Sequence, residues 1–332
     1  MGEYLLEVKN LHTIFELFRG TIKAVDGVDF TLKEGEILGI VGESGGGKSV
    51  TGFSLLGLID PPGRVSAGEV IFRGENLLKK SEEEMRAIRG KDISMIFQDP
   101  MTSLNPLHTV GRQIDEMLAL HTDLRPGERR ARAVELLAEV GIPNAEDRLE
   151  SYPHQFSGGM RQRVVIAIAL AARPKLIIAD EPTTALDVTV QAQILTLMED
   201  LVKKSGSALI LITHDLAVVS EMAHRVAVMY CGRIVEEGPA EALIKTPLHP
   251  YTGGLLRSIP DMTGERTPRL PQIPGMAPSL FNLPPGCAFA PRCPDADDRC
   301  RSEPPPMTDW GGGRRVRCFR PVVYGEGGGT DE

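Results

Sequence analysis

The sequence has no long apolar run. Its longest, Val164 to Ala172, is nine residues, against the roughly 18–20 needed for a membrane-crossing helix. It has no excess of positive charge: 37 Lys and Arg stand against 45 Asp and Glu, a formal net charge of −8. That balance argues against broad, sequence-independent binding of nucleic acid. The opening MGEYLLEVKN has no basic stretch leading into an apolar one, so no secretory signal is predicted. Leu6 stands where a myristoylation motif needs Ser or Thr. No internal repeat is evident. Cysteine is nearly missing before residue 287, where Cys231 stands alone. The expectation is a cytoplasmic protein that reaches a membrane only through a partner.

What is present is an ordinary globular mix. The chain has 332 residues, 42% hydrophobic and 25% charged. That is enough for about two domains and a sizeable core, and it excludes global disorder and small disulfide scaffolds. Strand-like segments open the chain at Leu5 to Val8 and Val25 to Leu32. EILGIV (36–41) reads as a buried strand running into a glycine-rich turn, with a helix over about 48–58. Shorter strands are expected over 68–72 and 92–97. Residues 110–172 read as mostly helical: Ala133, Leu136, Leu137 and Val140 share one face before Gly141 and Pro143, and Ser157 is a good N-cap for a helix to about 172. Strands over 175–181 and 208–213 flank a helix over 188–204. This strand–helix–strand rhythm predicts an α/β protein with a largely parallel sheet. From about residue 246 the chain turns rich in Pro, Gly, Arg and Cys and loses its periodicity. The expected division is 1–255 and 256–332, with the GEGGGTDE tail disordered.

Residues 42–49, GESGGGKS, fit the phosphate-loop pattern G-x-x-x-x-G-K-[ST]. The chemistry requires these types. Phosphate oxygens need converging backbone N–H groups, and Gly45, Gly46 and Gly47 leave them uncovered. Glu43 and Ser44 complete the loop, and the following helix adds its positive N-terminal end. Lys48 supplies a point charge for the β- and γ-phosphates, and Ser49 a hydroxyl for Mg²⁺. Further on, LIIADE ends a strand with two carboxylates. Asp180 suits Mg²⁺ or its water shell, and Glu181 is a candidate general base for a water attacking phosphate. His214 ends the next buried strand, where it can sense the γ-phosphate or hold that water.

Cys287, Cys293, Cys300 and Cys318 share the last 46 residues in the spacing C-x5-C-x6-C-x17-C. Four thiolates can hold Zn²⁺ or an iron–sulfur cluster, although the C-x2-C knuckle common at zinc sites is missing. A reducing cytoplasm disfavours disulfides. A loop-rich segment with few apolar residues gains order from a metal centre. Cys231, outside the spacing, reads as a buried structural thiol.

FSGGMRQR (156–163) resembles the LSGGQ signature of ABC-type ATPases, with Phe for Leu and Met for Gln. The other family elements follow in order over 36–215: Gln98 in FQDP resembles the Q-loop, Asp187 in TALD the D-loop, and His214 the switch histidine. The resemblance implies a RecA-like core sheet, an antiparallel β subdomain and an inserted helical subdomain over about 99–172. It implies ATP and Mg²⁺ as ligands, with Gln98 sharing the metal with Ser49 and Asp180. It also implies that Ser157, Gly158 and Gly159 face ATP held by a second, opposed ATPase. Phe18 is a candidate to stack on adenine, with Phe15, Arg19 and Ile22 nearby in sequence.

A finer resemblance covers almost the whole chain. QDPMTSLNP, YPHQFSGGMRQRV, ADEPTTALDVT, HPYT and NLPPGCAFAPRCP are similar to segments of the ATPase subunits of dipeptide/oligopeptide importers. This implies peptide import from the cytoplasmic face of the membrane. The expected partners are a second related ATPase in a heterodimer, two membrane permeases and an extracytoplasmic binding protein, with no nucleic acid. It also implies a four-iron four-sulfur cluster on Cys287, Cys293, Cys300 and Cys318, with Zn²⁺ the alternative. Related importers take nickel complexes or sugars, so cargo stays open. A soluble ABC ATPase acting on DNA or ribosomes would be expected to carry tandem cassettes, a coiled-coil insertion or basic arms, and none is seen. A regulator that binds ATP without cleaving it would not need Glu181.

Overall fold

The computed structural model describes residues 3–184, 186–259 and 272–322. The tail read as disordered, 325–332, lies outside them. The strands among the described residues are β1 (Leu6–Leu17), β2 (Gly20–Leu32), β3 (Ile37–Val41), β4 (Gly63–Phe72), β5 (Glu75–Asn76), β6 (Ile93–Ile96), β7 (Leu176–Asp180), β8 (Ala208–Thr213), β9 (Arg225–Tyr230), β10 (Arg233–Pro239), β11 (Thr308–Gly311) and β12 (Arg314–Val316). They fall into two compact units. One is Met1–Thr31, Ile37–Leu78 and Ile212–Glu332; the other is Leu32–Glu36 and Lys79–Leu211.

In the first unit, β2-β1-β4-β5 form an antiparallel sheet. β1 lies along β4 from Leu6 opposite Phe72 to Phe15 opposite Gly63. Leu6, Val8 and Leu11 face inward and are buried, while intervening positions such as Lys9 and Asn10 face water, as expected of a sheet wet on one side. β1 and β2 run well beyond the segments expected from sequence. The added part of β2, Gly20 to Lys23, is mostly polar and exposed, and that of β1 sets Asn10, His12 and Glu16 among Leu11, Ile14 and Phe15 without a clean alternation.

The same unit holds the strand series β11-β12-β10-β9-β3. β3 is parallel to β9, with Leu38 opposite Arg225 and Val41 opposite Val228. All five residues of β3 are buried, which accounts for its continuous apolar run. β9 and β10 form a hairpin, and β12 adds to β10 with Glu236 opposite Val316. The cysteine-bearing region therefore contributes two strands. β11 is exposed at every position and β12 is three residues long, so neither has a hydrophobic period to read.

The second unit carries β6, β7 and most of β8, in the order β8-β7-β6. β6 and β7 are parallel, with Ile93 opposite Leu176. Helices Val110–His121, Pro126–Glu139 and Gly158–Leu170 lie between them in sequence and pack on one another. Val110, Ile114 and Leu118 recur at a spacing of four and are fully buried. Ala133, Leu136, Leu137 and Val140 are buried together. Their helix ends where Gly141 turns to positive φ. Helix Val188–Ser205 links β7 to β8.

Candidate functional site

In the first unit, β3 delivers the phosphate loop to helix Lys48–Leu55. Two glycines there are required by space. A Cβ on Gly42 would sit 2.1 Å from the Met229 carbonyl oxygen, and one on Gly47 2.2 Å from that of Ala24. The loop is held by its own groups. Gly46 N–H donates to the Glu43 carbonyl at 3.2 Å, and Thr51 Oγ1 to the Gly47 carbonyl at 2.8 Å. Lys48 is buried, with its Nζ donating to the carbonyls of Gly42 and Glu43 at 2.8 and 3.0 Å. Ser44 and Gly45 are exposed and Ser49 is half-buried. This puts a cation and a run of N–H groups at a helix start, an arrangement suited to phosphate.

His214 follows β8 and is exposed. Phe18 stands at the β1–β2 turn with its ring wholly in solvent, while Ile22 lines a cavity of about 340 Å³ against Glu43 to Gly46. The opposite wall includes Leu280 and Phe281, aromatic and apolar surface that the sequence reading did not place near the loop.

In the second unit, β7 is buried throughout and ends at Asp180, 2% exposed. Glu181 turns to φ +45°, an uncommon conformation outside glycine that swings the carboxylate off the strand. Two donors meet it: Gln98 Nε2 at 3.1 Å and Thr184 Oγ1 at 2.9 Å, both on Oε2. The structure thus brings Gln98 to Glu181, two positions 83 residues apart. Thr184 was not foreseen; its hydroxyl lies three residues on, within reach only after the positive-φ turn. Ser157 and Gly158 are exposed at the start of helix Gly158–Leu170, where Ser157 Oγ accepts from Met160 N–H at 3.3 Å. Gly159 lies so close to Val190 that a Cβ would come within 2.7 Å of it. Asp187 caps helix Val188–Ser205, accepting from Val190 N–H at 2.9 Å, and is itself exposed.

The HPYT segment has a structural explanation in the first unit. Buried Glu236 accepts from the N–H groups of Leu248 and His249, each at 2.9 Å. His249 is buried, which lowers its pKa to about 3, and its neutral Nδ1 accepts from Tyr251 N–H to cap helix Pro250–Arg257. Tyr251 then accepts from Glu43 N–H at 2.7 Å, in the phosphate loop.

Burial raises the pKa of each of the four late cysteines, to about 11 for Cys293 and Cys318, and neighbouring thiols add to it at Cys287, Cys293 and Cys318. The backbone brings two of these cysteines together: Cys287 N–H donates to the Cys300 carbonyl at 2.8 Å. Among the described residues, no three His, Cys, Asp or Glu side chains converge closely enough to grip a metal ion. Cys231 is buried, as expected, with its thiol pushed up to about 11.

The family profile described as ABC transporter matches residues 25–184, and that described as Oligopeptide/dipeptide transporter, C-terminal region, matches 235–300. The chain is 51% identical to the dipeptide transport ATP-binding protein DppD of Escherichia coli (strain K12), over 96% of this chain and 97% of that one. This is an ABC transporter ATPase of the oligopeptide/dipeptide family. The oligopeptide transport ATP-binding protein AppD of Bacillus subtilis (strain 168) is 54% identical over 95% of this chain and 96% of its own. Among solved structures, the dimeric bacterial ABC transporter cassette MJ0796 is 30% identical with a TM-score of 0.64, covering 71% of this chain and 98% of that one. CbiO1 of Clostridium perfringens is 29% identical with a TM-score of 0.62, covering 73% and 91%. The ABC ATPase fold is therefore as expected, and ATP and Mg²⁺ are the ligands expected of this family. Among the described residues, no helix of this ATPase is long and apolar enough to cross a membrane.

Proposed function

We propose that the chain hydrolyses ATP to power import of di- or oligopeptides. It acts as one of two related ATPases at the cytoplasmic face of the membrane, beneath two permeases fed by an extracytoplasmic binding protein. The hydrolytic reading is carried by Glu181, a carboxylate swung off the end of a buried strand and oriented by Gln98 and Thr184. The peptide reading is supported by whole-length similarity to DppD and AppD.

In this mechanism the N–H groups of Gly45 to Ser49 and the Lys48 ammonium bind the β- and γ-phosphates. A water attacks the γ-phosphorus, Glu181 takes its proton, the bond to the β-phosphate oxygen breaks, and ADP and phosphate leave. Gln98 and His214 hold the water. Ser157, Gly158 and Gly159 offer N–H groups to ATP on the opposed subunit, and Asp187 faces that interface; the exposure of Ser157, Gly158 and Asp187 supports this reading. Mg²⁺ would neutralise developing charge, and the hydroxyl of Ser49, the carboxylate of Asp180 and the amide oxygen of Gln98 are the hard oxygen donors it prefers. Adenine would lie beside Ile22, with Phe18 the aromatic to reach it.

For the four late thiols the family resemblance favours a four-iron four-sulfur cluster first and Zn²⁺ second. Four thiolates are the usual ligand set of such a cluster, and the C-x2-C knuckle common at zinc sites is missing from their spacing. Bound there, the cluster would cross-link a segment poor in regular structure. Cys318→Ser should therefore strip the iron from anaerobically purified protein and speed tryptic cleavage of the extension about tenfold. Unchanged cleavage would remove the structural role, and stoichiometric zinc with no visible absorption would replace the cluster.

The assembly is tested by an anaerobic pull-down from solubilised native membranes. Two membrane proteins and a second ATPase support it. Recovery of the chain with ribosomes or DNA would overturn it.

A further inference from the structure

One side chain of the phosphate loop is gripped from far along the chain. Arg292, immediately before Cys293, is buried, 5% exposed, and reaches Glu43 with both terminal nitrogens, at 2.6 and 2.9 Å. The guanidinium lies 5.9 Å from the ring centroids of both Tyr230 and Phe289, which pack edge to face beside it, and its Nε donates to the Pro274 carbonyl at 3.0 Å. Two charge-assisted hydrogen bonds beside a pair of aromatic rings fix a position in a way that a single contact does not.

Glu43 is well placed to pass that position on. Its neighbour Gly42 is wedged against the Met229 carbonyl, so the loop cannot shift that way. Its own N–H is held by Tyr251, and its carbonyl receives both Gly46 N–H and Lys48 Nζ. A displaced Glu43 would therefore disturb an N–H group and the cation that meet the phosphates. On the other side, Arg292 lies between Pro291 and Cys293, inside the four-cysteine region.

We infer that Arg292 is a positioning residue for the nucleotide site, and that through Glu43 it links ATP binding at the loop to the order of the cysteine-bearing extension. The inference rests on the reading of residues 42–49 as the ATP site. Linkage is reciprocal: if an ordered extension favours nucleotide, nucleotide must equally favour the ordered extension.

The test uses the full-length protein. ATP affinity is measured by titration, and amide hydrogen exchange over 287–300 is followed with and without a non-hydrolysable ATP analogue. In the native sequence the analogue should slow exchange over 287–300. Arg292→Met should weaken ATP binding about 5–150-fold, the usual range of such coupling, and abolish the slowing. Arg292→Lys, which keeps the charge but not the paired geometry, should fall between. The double variant Glu43→Gln/Arg292→Met should be no weaker than the worse single variant, because both act through one contact. If Arg292→Met does not fold, Arg292→Lys and Glu43→Gln carry the same test. Additive effects, ATP affinity within twofold of native, or exchange that ignores the analogue in the native protein would each overturn the linkage. A native protein that binds no ATP would instead overturn the reading of the site itself.

Discussion

Replacing Glu181 by Gln lowers steady-state ATP turnover by about 10²–10⁴-fold, the contribution usual for a general base and equivalent to about 3–5 kcal/mol of barrier. Affinity for ATP stays near native. The substitution keeps the shape of the side chain, and its amide oxygen can still accept from Thr184 and Gln98, which now share Oε2 at 2.9 and 3.1 Å. What disappears is the capacity to take a proton from water. ATP should then accumulate uncleaved, and the ATP-bound dimer should persist on size-exclusion chromatography. Single-turnover hydrolysis under saturating ATP is the direct measurement. A rate within threefold of native would remove Glu181 from the proton transfer and leave it a structural acid at a strand end.

Lys48→Ala acts on the other half of the cycle, weakening ATP itself by about 10–100-fold. The estimate follows from about 1.5–3 kcal/mol for a hydrogen bond to a charged group. Part of the effect arises in the loop rather than in lost charge, because Lys48 Nζ tethers the carbonyls of Gly42 and Glu43. Calorimetric titration with ATP and with ADP separates the contributions. A loss confined to ATP assigns Lys48 to the γ-phosphate; an equal loss for both assigns it to the β-phosphate and the loop's shape. Unchanged affinity with a collapsed rate would place the lysine in the transition state alone. The contrast between the variants is the sharper test: Glu181→Gln separates binding from cleavage, whereas Lys48→Ala weakens the first step.

The loop, the carboxylate strand and the signature helix were legible in the sequence because each is a local event. A buried strand, a glycine turn and a helix N-cap lie within about fifteen residues of one another, and the side chains are dictated by phosphate chemistry. β8 and helix Val188–Ser205 lie within one residue of the expected bounds, since their apolar periods are uninterrupted. The outer halves of β1 and β2 were not legible, because half-wet strands alternate weakly. Nor was the contact of Arg292 with Glu43, 249 residues away in sequence. An arginine in APRC carries no sign of its partner, and Glu43 occupies a position the phosphate-loop pattern leaves free. Thr184 was hidden for a different reason: its use depends on the backbone sign at Glu181, which no side-chain pattern announces.

The pairing of β12 with β10 bears on any attempt to dissect the molecule. Glu236 and Glu237 on β10 are both under 2% exposed, and the cations that meet them include Arg314 and Arg315 of β12. A shortened protein ending before residue 308 would retain every nucleotide motif, yet it would take Arg314 from Glu236 and Arg315 from Glu237, leaving Glu237 to Arg225 and Glu236 to the N–H groups of Leu248 and His249, and it would bare a row of backbone donors and acceptors on β10. Such a fragment should be insoluble rather than merely uncoupled. The catalytic cassette is thus not an autonomous piece to which a cysteine tail has been appended: one edge of its own sheet is supplied by the tail.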